Sequence, residues 1–98
     1  MDIEFATNRL VRASRSLSEA TRFYGDPIGR RYIQRLAIIR AVDEFSQPYG
    51  HQALRLHPLR GDRAGQYAMG LTGNYRLIIQ RISDERVRIL SVEDDHGN

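Results

Sequence analysis

Two histidines and three arginines carry the chemistry this sequence could perform: His57, His96, Arg60, Arg63 and Arg76. Imidazole gains and loses a proton near neutral pH, so a histidine pair can serve as general base and general acid. Guanidinium grips phosphate through paired N–H donors and stabilises a developing negative charge. Those parts suffice to break an RNA phosphodiester without a metal. A 2′-hydroxyl must lose a proton, the phosphate charge must be met, and the 5′ oxygen must gain a proton. Each group also has a plainer reading. His57 stands beside Pro58 in a stretch without periodicity, where histidines are commonly solvated, and His96 lies close to the last residue, where order is often lost. Spacing alone leaves both readings open.

Other chemistries find less support. His51, His57 and His96 lack the i,i+4 spacing of a helical metal site, and there is no cysteine to supply thiolate or disulfide. Gly61, Gly65, Gly70 and Gly73 do not form a phosphate-cradling loop ahead of a helix. No nucleophilic triad is suggested. The expectation is a protein with no metal and no cofactor.

Charge narrows the partner. All 15 basic residues are arginine, and residues 1–92 carry them against 9 acids, because Glu93, Asp94 and Asp95 cluster in the tail. Arginine binds phosphate in a planar fork and stacks on bases, which suits a nucleic-acid partner. Codon bias combined with solvated helix faces would produce the same composition.

The elements that must hold these groups can be read from pattern. A chain of 98 residues with no repeat or linker is one domain, residues 1–98. Ile3 and Phe5 alternate with Asp2 and Glu4 as a short strand. Asn8 to Ser14 reads as a helix. Ser16-Leu17-Ser18-Glu19 has the capping-box form that opens another, running to Tyr24 and ended by Gly25. Asp26-Pro27 reads as an N-cap with proline at the first helical position. The main helix should continue to about Phe45, with Ile28, Tyr32, Leu36 and Ile39 on one face, Ile33 and Val42 on its flanks, and Arg30, Gln34 and Ala37 opposite. Residues 46–64 show no periodicity and read as one long loop, a length often functional in a small domain. Tyr67, Met69 and Leu71 then alternate with polar and small residues, Gly73-Asn74 makes a tight hairpin, and Tyr75, Leu77 and Ile79 continue the pattern. Arg76 and Ile78 project from the other face. After a turn at Ser83-Asp84-Glu85, Val87 to Val92 forms a last strand with apolar residues on both faces. The fold class is α+β: an N-terminal strand and helices packed on an antiparallel β-sheet. The longest apolar run, Leu36-Ala37-Ile38-Ile39, is too short to cross a membrane, and Asp2 and Glu4 replace the basic start of a signal peptide. A cytoplasmic location is expected.

Three linked motifs bear a family likeness. Leu56-His57-Pro58-Leu59-Arg60-Gly61-Asp62-Arg63-Ala64-Gly65-Gln66-Tyr67 resembles the LHPLKGDRxGxW/Y signature of HigB-type toxins in the RelE superfamily. Leu71-Thr72-Gly73-Asn74-Tyr75-Arg76-Leu77-Ile78 resembles the VNGNWRL hairpin that follows it. Val87 to Gly97 resembles the closing strand that ends in VxDYH. Phe23-Tyr24-Gly25 and the arginine-rich main helix match one branch, and the resemblance covers essentially the whole chain.

What the resemblance implies is specific. The fold would be the compact RelE-like domain of a type II toxin–antitoxin system. The activity would be ribosome-dependent cleavage of mRNA by 2′-OH attack on the adjacent phosphate. His57 matches the family's loop histidine, Arg60 a basic residue that is usually lysine, and Arg76 the strand arginine; Asp94 and His96 match the terminal D-x-H. This places His57, His96, Asp94 and Arg76 in catalysis, and Arg60, Arg63 and Arg76 on RNA. The implied partners are a helix-turn-helix, HigA-like antitoxin, the ribosome and its mRNA, and operator DNA only through the antitoxin, with no membrane. The chain departs from the family at Asp95, where the motif has tyrosine, at Arg60, and at Gly70, usually a polar or charged residue. Asp95 supports a competing reading: a non-catalytic binding module of RelE/ParE fold, either a gyrase poison or an inactive toxin that acts as antitoxin partner and co-repressor.

Overall fold

In the computed structural model, residues 1–46 and 55–94 are described; His51, Asp95 and His96 lie outside them. The N-terminal alternation becomes strand β1 (Asp2–Phe5). The Thr7 hydroxyl accepts the Leu10 N–H at 3.2 Å and so caps helix α1 (Asn8–Ala13). The Ser16 hydroxyl accepts the Glu19 N–H at 3.0 Å, opening α2 (Leu17–Tyr24) as the S-x-x-E spacing requires. Gly25, at φ 75°, closes that helix in a conformation that favours glycine.

Helix α3 (Ile28–Ala41) departs from expectation at both ends. Asp26 does not cap it. Its carboxylate pairs with Arg30 one turn along, at 3.5 Å, while backbone carbonyls of Gly25 and Pro27 accept the N–H groups of Gly29 and Arg31. The helix also stops at Ala41 rather than Phe45: Val42 is extended, the Met1 ammonium donates to the carbonyls of Ile39, Arg40 and Val42, and Asp84 holds the chain that follows. The Asp84 carbonyl accepts the Phe45 N–H, and its carboxylate takes the Ser46 N–H at 3.0 Å and the Ser46 hydroxyl at 2.7 Å. Those hydrogen bonds hold Asp84 below the usual carboxylate pKa against its partial desolvation. The expected apolar face is real, with Tyr32, Leu36 and Ile39 fully buried. Gly29 is buried where α3 crosses α2. A Cβ there would stand 2.5 Å from the carbonyl carbon of Ala20, so only glycine permits this approach.

The expected long loop is not structureless where it is described. His57–Pro58 form a two-residue edge strand, β2, and Gly61–Arg63 a single 3-10 turn. Proline, which cannot donate to a ladder, suits that edge. Strands β3 (Gln66–Thr72), β4 (Tyr75–Ser83) and β5 (Arg86–Asp94) form the meander, and Gly73 takes φ 55° in the hairpin. The sheet order is β1-β5-β4-β3-β2, with β1 parallel to β5 and the other pairs antiparallel.

The two sheet faces differ. Met69, Leu71, Leu77, Ile79, Val87 and Ile89 face the helices and share one core with Leu10, Ala13, Tyr32, Leu36 and Ile39. The Tyr32 hydroxyl donates to the Leu10 carbonyl at 2.7 Å, which satisfies a polar group deep in that core. On the opposite face, register aligns His57, Ala68, Ile78 and Ser91 in one row and Gly70, Arg76 and Glu93 in the next. Arg76 and Ile78 therefore project away from the helices, as their alternation with Tyr75 and Leu77 requires. Among the described residues no helix is long and apolar enough to cross a membrane.

Candidate functional site

The open sheet face gathers three of the expected groups and separates a fourth. Adjacent strands lie about 4.8 Å apart and rise about 3.4 Å per residue, so the Cα atoms of His57 and Arg76, two strands and one row apart, are separated by roughly 12 Å. Gly70 occupies the strand between them. A Cβ at Gly70 would meet nothing within 4 Å, so the space between the imidazole and the guanidinium is open. His57 itself is exposed.

Arg63 reaches the same face from the 3-10 turn. Its guanidinium donates to both Glu93 oxygens, at 3.2 and 3.0 Å, and its Nε donates to Gln66 at 3.2 Å. Glu93 also accepts the Ser91 hydroxyl at 2.7 Å. Burial raises the Glu93 pKa, but the hydrogen bonds from Arg63 and Ser91 and the charges of Arg63 and Arg76 outweigh it, leaving the carboxyl below its usual value. Glu93 is thus an anion at neutral pH that holds Arg63 in place opposite Arg76. Neither its position nor its part in the site was visible in the sequence, where it read as one more acid of the tail.

Arg60 is exposed between β2 and the 3-10 turn. Asp94 ends β5 in register with Tyr75, which sets it on the other face of the sheet from Arg76. His96, the expected partner of His57, lies outside the described residues.

A groove of about 630 Å³ runs from His57 between α3 and the end of β3, bordered by Arg31, Arg35 and Arg55. The Arg35 Nε donates to the Gly70 carbonyl at 3.0 Å, tying the helix to the strand beside the gap. Burial first, then the charges of Arg31 and Arg55, lower the Arg35 pKa. Three like charges held this close repel one another, and a bound anion relieves that cost. Arg31 and Arg35 were the signal the sequence offered, since i,i+4 spacing puts both on one helix face, but nothing local says that this face meets His57. Among the described residues no group of three His, Cys, Asp or Glu stands where it could hold a metal ion.

The arrangement can therefore take a polyanion along an arginine-lined groove that reaches His57, with Arg76 on the open sheet face beyond Gly70. No protein-family profile matches the sequence. Endoribonuclease HigB of Proteus vulgaris is 35% identical over 66 residues, which cover 67% of this chain and 70% of that protein. A YoeB/ParE toxin from Agrobacterium tumefaciens superposes with a TM-score of 0.54 at 15% identity, covering 96% of this chain and 98% of that one. YafQ from E. coli superposes with a TM-score of 0.54 at 19% identity, covering 95% and 91%. At such identities these two structures establish the likeness of fold.

Proposed function

Because the chain belongs to the RelE/HigB family of toxins, we propose that it is an endoribonuclease that cuts mRNA on the ribosome and is silenced by a cognate antitoxin. The observation that carries this reading is the open sheet face on which His57 and Arg76 flank the gap left by Gly70. The 2′-OH of one nucleotide attacks the next phosphorus as its proton passes to an imidazole. The bond to the 5′ oxygen breaks, and that oxygen receives a proton from the second imidazole. The products are a 2′,3′-cyclic phosphate and a 5′-OH end, with no water or metal consumed. His57 and His96 form the proton-transfer pair. Asp94, two residues before His96, belongs to the same catalytic motif. Arg76 and Arg60 meet the phosphate charge, and Arg63, oriented by Glu93, supports them. The groove of Arg31, Arg35 and Arg55 leads the RNA to His57.

The antitoxin is a HigA-like helix-turn-helix protein that carries the pair to operator DNA, and the toxin acts in the cytoplasm, where ribosomes and mRNA are. Inducing the chain alone should arrest growth and translation, with primer extension showing breaks inside translated frames and supercoiling unchanged. Cleavage should survive removal of trace transition metals while magnesium keeps the ribosome intact. The competing reading rests on Asp95, a carboxylate where the family motif has tyrosine. Arrest with intact mRNA and trapped gyrase–DNA complexes would establish that reading instead.

A further inference from the structure

A second hollow, of about 400 Å³, lies on the helix side of the sheet at the end where β3 turns into β4. Its walls include Arg9, Phe23, Tyr24 and Tyr75. The Arg9 guanidinium stacks on both rings of α2, 5.4 Å from the Phe23 centroid and 5.5 Å from that of Tyr24, and donates to the Phe23 carbonyl at 3.1 Å. Arg12, one turn along α1, stacks on the same Phe23 ring at 5.5 Å. Among the described residues neither arginine meets a carboxylate, and both are exposed. Ring contacts, with the Phe23 carbonyl and the Tyr24 hydroxyl for Arg9, leave part of each guanidinium's donor set unused, so each exposed group keeps N–H groups for an anion. Their planes are held in advance, which lowers the ordering cost of gripping a phosphate. Tyr75 is 37% exposed and presents its ring at the rim.

The position matters as much as the composition. Tyr75 precedes Arg76 on β4, so their side chains leave opposite faces of one strand at the same end of the sheet. A nucleic-acid strand whose phosphate lies on the Arg76 face needs to pass only the hairpin end of the sheet for a neighbouring nucleotide to reach Tyr75. An exposed aromatic ring sharing a hollow with an arginine, and a second arginine close by, is the chemistry by which single strands are held, with rings taking bases and guanidinium groups taking phosphates.

We propose that this hollow, together with the Arg12 side of the Phe23 ring beside it, is a second contact surface for single-stranded RNA, in which Tyr75 stacks on a base flanking the cleaved position while Arg9 in the wall and Arg12 next to it hold adjacent backbone phosphates. The identity of the strand rests on the reading of the chain as an mRNA-cutting toxin; the binding itself is tested without cleavage. A fluorescein-labelled oligoribonucleotide, 2′-O-methylated throughout so that it cannot be cut, is titrated into the purified full chain and followed by anisotropy. Tyr75→Ala should weaken binding about tenfold, the scale of losing one base–aromatic stack, and Tyr75→Phe should retain it. Arg12→Gln should reduce the slope of log affinity against log salt by about 0.7, the value for one phosphate on a single strand. Circular dichroism establishes that each variant is folded. Wild-type affinity in both Tyr75→Ala and Arg12→Gln overturns the proposal. So does binding that poly-glutamate displaces as readily as unlabelled RNA, because the surface would then suit an acidic protein. Tyr75-dependent binding without any mRNA cleavage would instead sustain this surface and refute the nuclease reading, whereas cleavage with Tyr75-independent binding does the reverse.

Discussion

The two ends of the sheet treat their arginines differently. At the end where β4 turns into β5, acids answer them. Arg81 pairs with Asp84 at 2.8 Å, Arg86 with Asp2 at 3.6 Å and Glu4 at 3.4 Å, and Arg88 with Glu4 at 2.9 Å. The hydrogen bond from Arg88, foremost, holds the Glu4 pKa below its ordinary value. At the other end, where β3 turns into β4, Arg31, Arg35 and Arg55 crowd one groove and Arg9 and Arg12 stack on aromatic rings, with no carboxylate partner among the described residues. The same residue type closes the fold at one end, whereas at the other Arg63 is taken up by an acid, Glu93, and these five arginines stay available to an anion. Net charge is therefore a poor guide to where a polyanion binds. What decides it is which guanidinium groups the fold has already neutralised.

The contrast can be broken by substitution. The largest effect should come at the open end: His57→Ala, with circular dichroism unchanged, should lower mRNA cleavage about a hundredfold or more, the usual scale for losing a general acid or base. His96→Ala should do likewise. Combining them should cost far less than the product of the two, because in the proposed mechanism they act as one unit. Full activity in both folded variants would move the catalytic work away from the imidazoles. Next comes the groove. Arg31→Gln with Arg35→Gln should weaken RNA binding about tenfold and flatten its salt dependence, and affinities measured across a salt series would reveal a groove that plays no part.

A smaller effect should follow from Glu93→Gln. Its folded pKa is lowered, so its contribution to stability is present above the ordinary carboxylate pKa of about 4.5 and lost as pH falls through the folded value. At neutral pH the variant should melt below the wild type, and the gap should narrow as pH drops to about 3. Thermal melts across that range check the sign; a gap that widens in acid would mean that Glu93 is not held as an anion. The least effect should come from the paired end. Exposed ion pairs contribute little because water and salt screen them, so Arg86→Ala should leave cleavage unchanged and lower the melting temperature only slightly. Loss of cleavage as large as in the groove variant would erase the distinction between the two ends.

Much of this protein is written in short-range spacing. Ser16 and Glu19 announced the start of α2, Gly73-Asn74 the hairpin, and the alternation from Tyr75 to Ile79 the two faces of β4, including the direction of Arg76. The three motifs pointed to the family and brought His57 forward. Each of these depends on interactions completed within a few residues, so the local order of side chains determines them. The tertiary structure decided the rest. It ended α3 at Ala41, where the Met1 ammonium takes the carbonyls of Ile39, Arg40 and Val42, and Asp84, 38 residues beyond Ser46, holds the chain that follows. Pairing with β3 made His57 part of an edge strand, and β1 came to lie parallel beside β5 at the opposite edge. Glu93 captured Arg63 across 30 residues, and Arg31 and Arg35 were set beside His57. Such contacts reflect which strand lies next to which. That order follows from burying one apolar face across the whole chain, a global condition that no window of neighbouring residues contains.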